Sequence, residues 1–175
     1  VSWFLERGAD PNFRCELDNI TRLSEAVRFA PLDMIQLILP ENMDVRRGEL
    51  LHRAVRRDDR EKFAVLILSF ARGADVNRIL YSGEDFTFNF HRIAGLGTPL
   101  QVAAQTGDVD MLTYLLAKGA DPTIPNSNGL LPEKVALYRG HQHIHDLLKK
   151  RAQREFAAEK INLAQERTRR DALVG

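Results

Sequence analysis

Thr98-Pro99-Leu100-Gln101-Val102-Ala103-Ala104 opens a stretch that closes, 21 residues after Thr98, in Gly119-Ala120-Asp121. As local chemistry it reads as two short helices and a stop. The Thr98 hydroxyl can accept an orphan N–H at a helix start, and Pro99 at the first helical position has no N–H to leave unpaired. Val109, Met111, Leu112, Leu115 and Leu116 then carry the three-and-four spacing of a buried helical face. Gly119 stands where that helix must stop in a left-handed turn that a Cβ would strain. Helices of this length are marginal alone and need neighbours to cover them.

The same pattern recurs outward from this stretch. Gly-Ala-Asp also occurs at Gly8-Ala9-Asp10 and Gly73-Ala74-Asp75, with Asn42-Met43-Asp44 as a degraded copy between them. The copies at Gly8 and Gly73 lie 65 residues apart, close to twice a period of about 33. Thr21-Arg22-Leu23-Ser24-Glu25-Ala26-Val27 precedes Asn42 by 21 residues, as Thr98 precedes Gly119. Leu32, Met34, Ile35, Leu37, Ile38 and Leu39 repeat the buried-face spacing, and Ala26, Ala54, Ala103 and Ala136 fall at equivalent places where helices would approach closely. Stacked helix pairs follow from such an array.

At these residues the chain resembles the ankyrin repeat family, whose pattern opens with Thr-Pro-Leu-His and two alanines, continues through Gly-His to an apolar second helix, and closes with Gly-Ala-Asp and a hairpin loop. Residues 98–123 resemble it closely, and Leu131-Pro132-Glu133-Lys134-Val135-Ala136-Leu137 with Gly140-His141 matches it 33 residues later. Residues 46–77 form a weaker copy that keeps Leu51-His52 and Ala54, with Asp58-Asp59 in place of the Gly-His turn. The resemblance implies an all-α solenoid of stacked helix-turn-helix units. Its expected parts are a partial repeat over 1–12, a degenerate repeat over 13–45, repeats over 46–77 and 98–123, and a C-terminal repeat over 124–150.

Two segments depart from that pattern. Thr98 comes 23 residues after Asp75, where the regular period places about ten, so about 13 residues are inserted within 78–97. There Phe86, Phe88 and Phe90 alternate with Thr87 and Asn89, and Ser82-Gly83-Glu84-Asp85 separates them from Ile79-Leu80-Tyr81. That alternation predicts an extended β-hairpin. The tail over 151–175 predicts a charged helix: from Lys149 onward it carries eight basic and four acidic side chains, with no glycine before Gly175.

Composition bounds what such an array can be. Of 175 residues 44% are apolar and 28% charged, and the net charge is +1, which excludes a disordered tail or a strongly basic nucleic-acid packager. The longest apolar run, Phe63 to Leu68, is six residues, too short for a membrane-spanning helix. The lone Cys15 cannot form an internal disulfide, so the expected compartment is the reducing interior of a cell, cytoplasmic or nuclear. The chain opens on Val1 and shows no basic segment followed by an apolar stretch, which predicts a piece of a longer protein and not a precursor with a signal peptide.

Motifs that could carry chemistry have simpler explanations. His141, His143 and His145 cannot all share one helical face, and His141 occupies the Gly-His turn of a repeat. Gly95-Leu96-Gly97 lacks the third glycine or following lysine of a phosphate loop. Asp58-Asp59 reads as a solvated pair that helps to start the next helix through its dipole. Cys15, in a hairpin-like loop, reads as an unremarkable small residue and not as an activated thiolate. No nucleophile, base and orienting residue form a set, so the expected chain is not an enzyme and holds no metal or cofactor.

The resemblance implies a concave groove faced by the two positions after the paired alanines. Here these are Arg28 and Phe29, Arg56 and Arg57, Gln105 and Thr106, and Tyr138 and Arg139: four arginines, two aromatics and no acid. Arg46 and Arg47 join this set as candidate partner contacts, as do Phe86, Phe88 and Phe90 in the insertion. Arginine and aromatic side chains favour tight protein contacts, and this groove suits an acidic or phosphorylated partner segment. The expectation is a monomeric protein-interaction module, scaffold or adaptor. The alternatives are nucleic-acid or acidic-polymer binding by the arginine groove and basic tail, and a regulatory domain of an enzyme encoded upstream.

Overall fold

A computed structural model describes residues 2–11, 13, 21–39, 49–83 and 85–174. Ten α-helices order the described residues: α1 (Ser2–Leu5), α2 (Arg22–Phe29), α3 (Leu32–Ile38), α4 (Leu50–Val55), α5 (Lys62–Ala71), α6 (Asp85–His91), α7 (Pro99–Thr106), α8 (Val109–Ala117), α9 (Pro132–Tyr138) and α10 (Gln142–Val174). A 3₁₀ turn, Arg92–Ala94, links α6 to the approach of α7.

The helices pair in sequence, α2 with α3, α4 with α5, α7 with α8 and α9 with α10, and the first members α2, α4, α7 and α9 pack on one another in that order. One continuous apolar core runs through the row, from Leu23, Val27 and Ile35 through Leu51, Val65 and Leu66 to Leu100, Met111, Leu115, Ile144 and Leu148. Ala54, Ala103 and Ala136 are fully buried where these inner helices meet, while Ala26 is half-buried. A larger side chain at the three buried alanines would push neighbouring helices apart.

Local chemistry sets the helix ends. Pro99 and Pro132 begin α7 and α9. Gly8, Gly73 and Gly119 take φ of 83°, 82° and 88°, the left-handed turn expected of each Gly-Ala-Asp. Asp75 and Asp121 then close their own turns by accepting from the backbone N–H of Asn77 (2.8 Å) and Thr123 (2.7 Å). Asn77 joins successive loops, donating to the Gly119 carbonyl and accepting from the Asp121 N–H.

Thr98 departs from expectation. Its buried hydroxyl caps nothing, and α7 is started by the Thr98 carbonyl, which accepts from the N–H groups of Gln101 and Val102. The side-chain caps are made elsewhere: Thr21 Oγ1 accepts from Ser24 N–H (3.0 Å) and Asp108 Oδ1 from Met111 N–H (2.9 Å). Asp108 Oδ2 also accepts from Lys62 Nζ at 2.6 Å, tying the start of α8 to α5. Burial works to raise the Asp108 pKa, but the Lys62 and Met111 hydrogen bonds outweigh it and hold the carboxyl below its usual range.

The insertion is helical where the alternation predicts a β-hairpin. Among the described residues its would-be first strand forms no β-ladder. Leu80 N–H donates to the Gly97 carbonyl, Ser82 N–H turns back to Ile79, and Tyr81 has φ of 61°. Residues 85–91 form α6 instead, and Phe86 and Phe90 stack with ring centroids 6.3 Å apart, as side chains four apart on a helix can. The tail helix is continuous with the preceding element: α10 begins at Gln142, buries Ile144 and Leu148, and runs on to Val174.

Candidate interaction site

Because α4, α7 and α9 pack side by side, their C-terminal ends come together, and each end carries one of the residue pairs expected in the groove. Arg56 caps α4, Gln105 lies in the last turn of α7, and Tyr138 with Arg139 closes α9. These four line a single open cleft of about 400 Å³ with the segment 94–97 of the insertion and the loop around Asn126. Cations at helix C-termini are favourable there, facing unpaired backbone carbonyls.

The electrostatics of this cleft are one-sided. No acid lines it, and among the described residues no carboxylate lies within ion-pair distance of Arg56 or Arg139. Arg56 is open to solvent along the cleft, but the partial burial of its guanidinium, followed by the nearby Arg28 and Arg53 guanidiniums, pushes its pKa down from the ordinary range against the smaller effects of Tyr81 and Glu49. Arg53, by contrast, has carboxylate neighbours: its guanidinium lies 3.2 Å from Glu25 and 3.7 Å from Glu49.

Other expected groove residues are placed differently. Arg28 is half-buried and stands over the ring of the exposed Phe29, 4.8 Å from its centroid. Thr106 is exposed but turns its hydroxyl back to the Val102 and Ala103 carbonyls. Arg57 is the clearest correction: it is only 4% exposed and points into the fold. Its Nη1 donates to the carbonyls of Val27 (2.7 Å) and Ala30 (2.9 Å) at the end of α2, and its Nε and Nη2 hold Asp59. Glu61, 3.7 Å from Arg57 Nη2, accepts from Leu32 N–H at the start of α3. Asp59 is therefore an ion-pair partner and not only a solvated carboxylate, although it also accepts from Glu61 N–H just before α5. Arg46, Arg47 and Cys15 lie outside the described residues.

Phe86 and Phe90 are 79% and 72% exposed on α6, with Phe88 half-buried. The histidines at 141 and 145 make backbone contacts: His141 Nε2 lies 3.3 Å from the Gln105 carbonyl and His145 Nδ1 3.1 Å from that of Glu133. Among the described residues no three His, Cys, Asp or Glu side chains gather as a metal-binding group.

The expected set omitted the loop wall of the cleft. Asn126 accepts from the N–H groups of Asn128 and Leu130 through Oδ1, each at 2.9 Å, and thereby shapes the loop. Asn126-Ser127-Asn128-Gly129 is a readable turn signal, but nothing in it shows that the loop meets an insertion some thirty residues earlier. Gln101 lies between the two walls, its Nε2 donating to the Ile124 and Leu130 carbonyls and its Oε1, without a hydrogen-bond partner, pressed against Gly97.

The sequence profile of the ankyrin repeat family matches residues 97–127. An ankyrin repeat protein of fowlpox virus (strain NVSL) is 28% identical over 129 residues, which span 71% of this chain and 27% of the viral protein. The chain thus corresponds to about a quarter of that relative's length. No helix among the described residues is long and apolar enough to cross a membrane.

Proposed function

We propose that this chain, whose residues 97–127 match the ankyrin repeat family, is an ankyrin-repeat protein and a non-catalytic protein-interaction module, a scaffold or adaptor whose helix pairs form a solenoid and whose concave cleft binds an acidic or phosphorylated segment of another protein. The observation that carries this reading is the pair Arg56 and Arg139, both lining the cleft with no acidic residue beside them in its wall. Such guanidiniums offer planar forks of donors that a carboxylate or phosphate can engage two at a time. Tyr138 adds an exposed aromatic surface next to them, and the apolar side chains of Leu96, Val102 and Leu130 line the same cleft.

The repeats at 46–77, 98–123 and 124–150 supply the frame, and the insertion supplies one wall. The test is to purify partners with the intact chain and with Arg56→Glu/Arg139→Glu, and then to measure the affinity of each purified partner. Loss of binding with unchanged helical circular dichroism supports the cleft; unchanged affinity removes it. A parallel salt titration with DNA, RNA and acidic peptides separates protein binding from nucleic-acid binding, which would show the steeper dependence on salt.

A further inference from the structure

The insertion carries a second surface beside the cleft. Phe86, Phe90 and Ile93 follow at intervals of four and three residues and are 79%, 72% and 86% exposed. Phe86 and Phe90 stack, which fixes them on one side of α6. Two stacked phenylalanine rings and, three residues on in the 3₁₀ turn, an exposed isoleucine leave large apolar side chains in water, which is unfavourable unless something covers them part of the time.

This surface is held in place. Ser127 Oγ donates to the Arg92 carbonyl at 2.6 Å and accepts from Leu96 N–H at 2.8 Å, while Asn128 Nδ2 donates to the Ile93 carbonyl at 3.2 Å. Gly95 lies so close to Asn126 and Asn128 that a Cβ there would stand 3.2 and 3.3 Å from their amide nitrogens. The end of the insertion is therefore keyed into the next loop. Its residues Ala94, Gly95 and Leu96 also line the cleft, so the apolar stripe ends one residue from the wall that faces Arg56 and Arg139.

We propose that stripe and cleft form one bipartite site for an acidic amphipathic helix of a partner protein, its apolar face on Phe86, Phe90 and Ile93 and its carboxylates toward Arg56 and Arg139. The inference rests on the cleft reading above and adds the stripe to it. Charge complementarity selects this occupant: the cleft offers two cations and no acid, and the stripe repeats the spacing of an amphipathic helix face.

The probe is a synthetic helix of about four turns with leucine along one face and glutamate elsewhere, measured by fluorescence anisotropy. The controls are the same peptide with lysine for glutamate and a scrambled peptide of equal charge without an apolar face. Binding is expected for the first peptide, with affinity reduced roughly tenfold or more by Phe86→Ser/Phe90→Ser and, separately, by Arg56→Glu/Arg139→Glu. These side chains are exposed, and circular dichroism verifies that each variant folds. If the phenylalanine variant binds as the original does while the arginine variant fails, the cleft reading stands and the bipartite site is refuted. Equal binding of the lysine peptide refutes the charge argument, and no binding of the acidic peptide at millimolar concentration refutes the proposal outright. Sedimentation gives the remaining outcome: a dimer dissolved by Phe86→Ser/Phe90→Ser makes the stripe a contact between copies and overturns the proposal.

Discussion

His52 Nε2 lies 2.9 Å from the carbonyl oxygen of Gly97, a residue 45 positions further along the chain. Facing a carbonyl, that nitrogen must carry the proton, so His52 donates as neutral imidazole. The same carbonyl accepts from Leu80 N–H at 3.0 Å. One oxygen thus closes the neck of the insertion and fastens it to α4. Gln101 occupies the equivalent place in α7 and likewise donates to carbonyls of the following loop.

A pH dependence follows from this contact. Burial above all lowers the His52 pKa from the ordinary 6.5 to about 4, against the smaller opposing effect of the Gly97 hydrogen bond. Between those values the unfolded chain binds a proton that the folded chain does not. Stability is therefore fully present above pH 6.5 and falls as pH drops toward 4, by about 3 kcal/mol at 1.4 kcal/mol per pH unit. His52→Gln should keep a donor and flatten this dependence in urea unfolding between pH 4 and 7. An equally steep slope in that variant would assign the effect to other groups.

Arg56 and Arg57 are adjacent arginines with opposite roles. Arg57→Leu strands the Val27 and Ala30 carbonyls in a buried place and releases Asp59, and should cost about 2–4 kcal/mol in denaturant unfolding. Arg56→Leu should change stability by no more than about 0.5 kcal/mol. Comparable losses in both would contradict the buried network around Arg57.

These two residues also mark how far the sequence could be read. The frame was legible because each part has a local cause: proline at the first position of α7, glycine with positive φ at Gly73 and Gly119, alanine where helices touch. Which neighbouring arginine turns inward has no local cause; it depends on where the end of α2 places the Val27 and Ala30 carbonyls. The insertion misleads for a different reason. Alternation over Phe86, Phe88 and Phe90 is too short to distinguish a strand from a helix that stacks residues four apart, and the residues that anchor it, Ser127 and Asn128, come some thirty positions later.

Gly97 has no room for a side chain. A Cβ there would stand 1.6 Å from Gln101 Oε1 and 2.9 Å from Gln101 Cβ. Gly97→Ala should therefore displace Gln101 from the Ile124 and Leu130 carbonyls and cost about 1–3 kcal/mol. Gln101→Ala removes Oε1, the nearest obstacle, together with the hydrogen bonds and leaves only the Cβ 2.9 Å away, so the double variant should be more stable than the sum of the two single losses allows. A double-mutant cycle in urea measures this coupling, and additivity within about 0.5 kcal/mol would mean that the two residues do not meet.

Ser127 decides whether the insertion is held or merely adjacent. Its hydroxyl links the Arg92 carbonyl to Leu96 N–H, beside the Ser127 N–H on the Leu96 carbonyl and Asn128 Nδ2 on the Ile93 carbonyl. In Ser127→Ala the Leu96 amide should exchange faster with solvent, and the amides of α6 with it, because the insertion can then open without the row of helices opening. Protection in α7 and α8 should stay as it was, since Leu100, Met111, Leu112 and Leu115 remain buried in the core. Native-state hydrogen exchange resolves the two regions separately. If α7 loses protection in step with α6, the insertion is part of the cooperative core and not an appendage fixed at one end; if α6 keeps its protection, the Ser127 contacts are not what holds it.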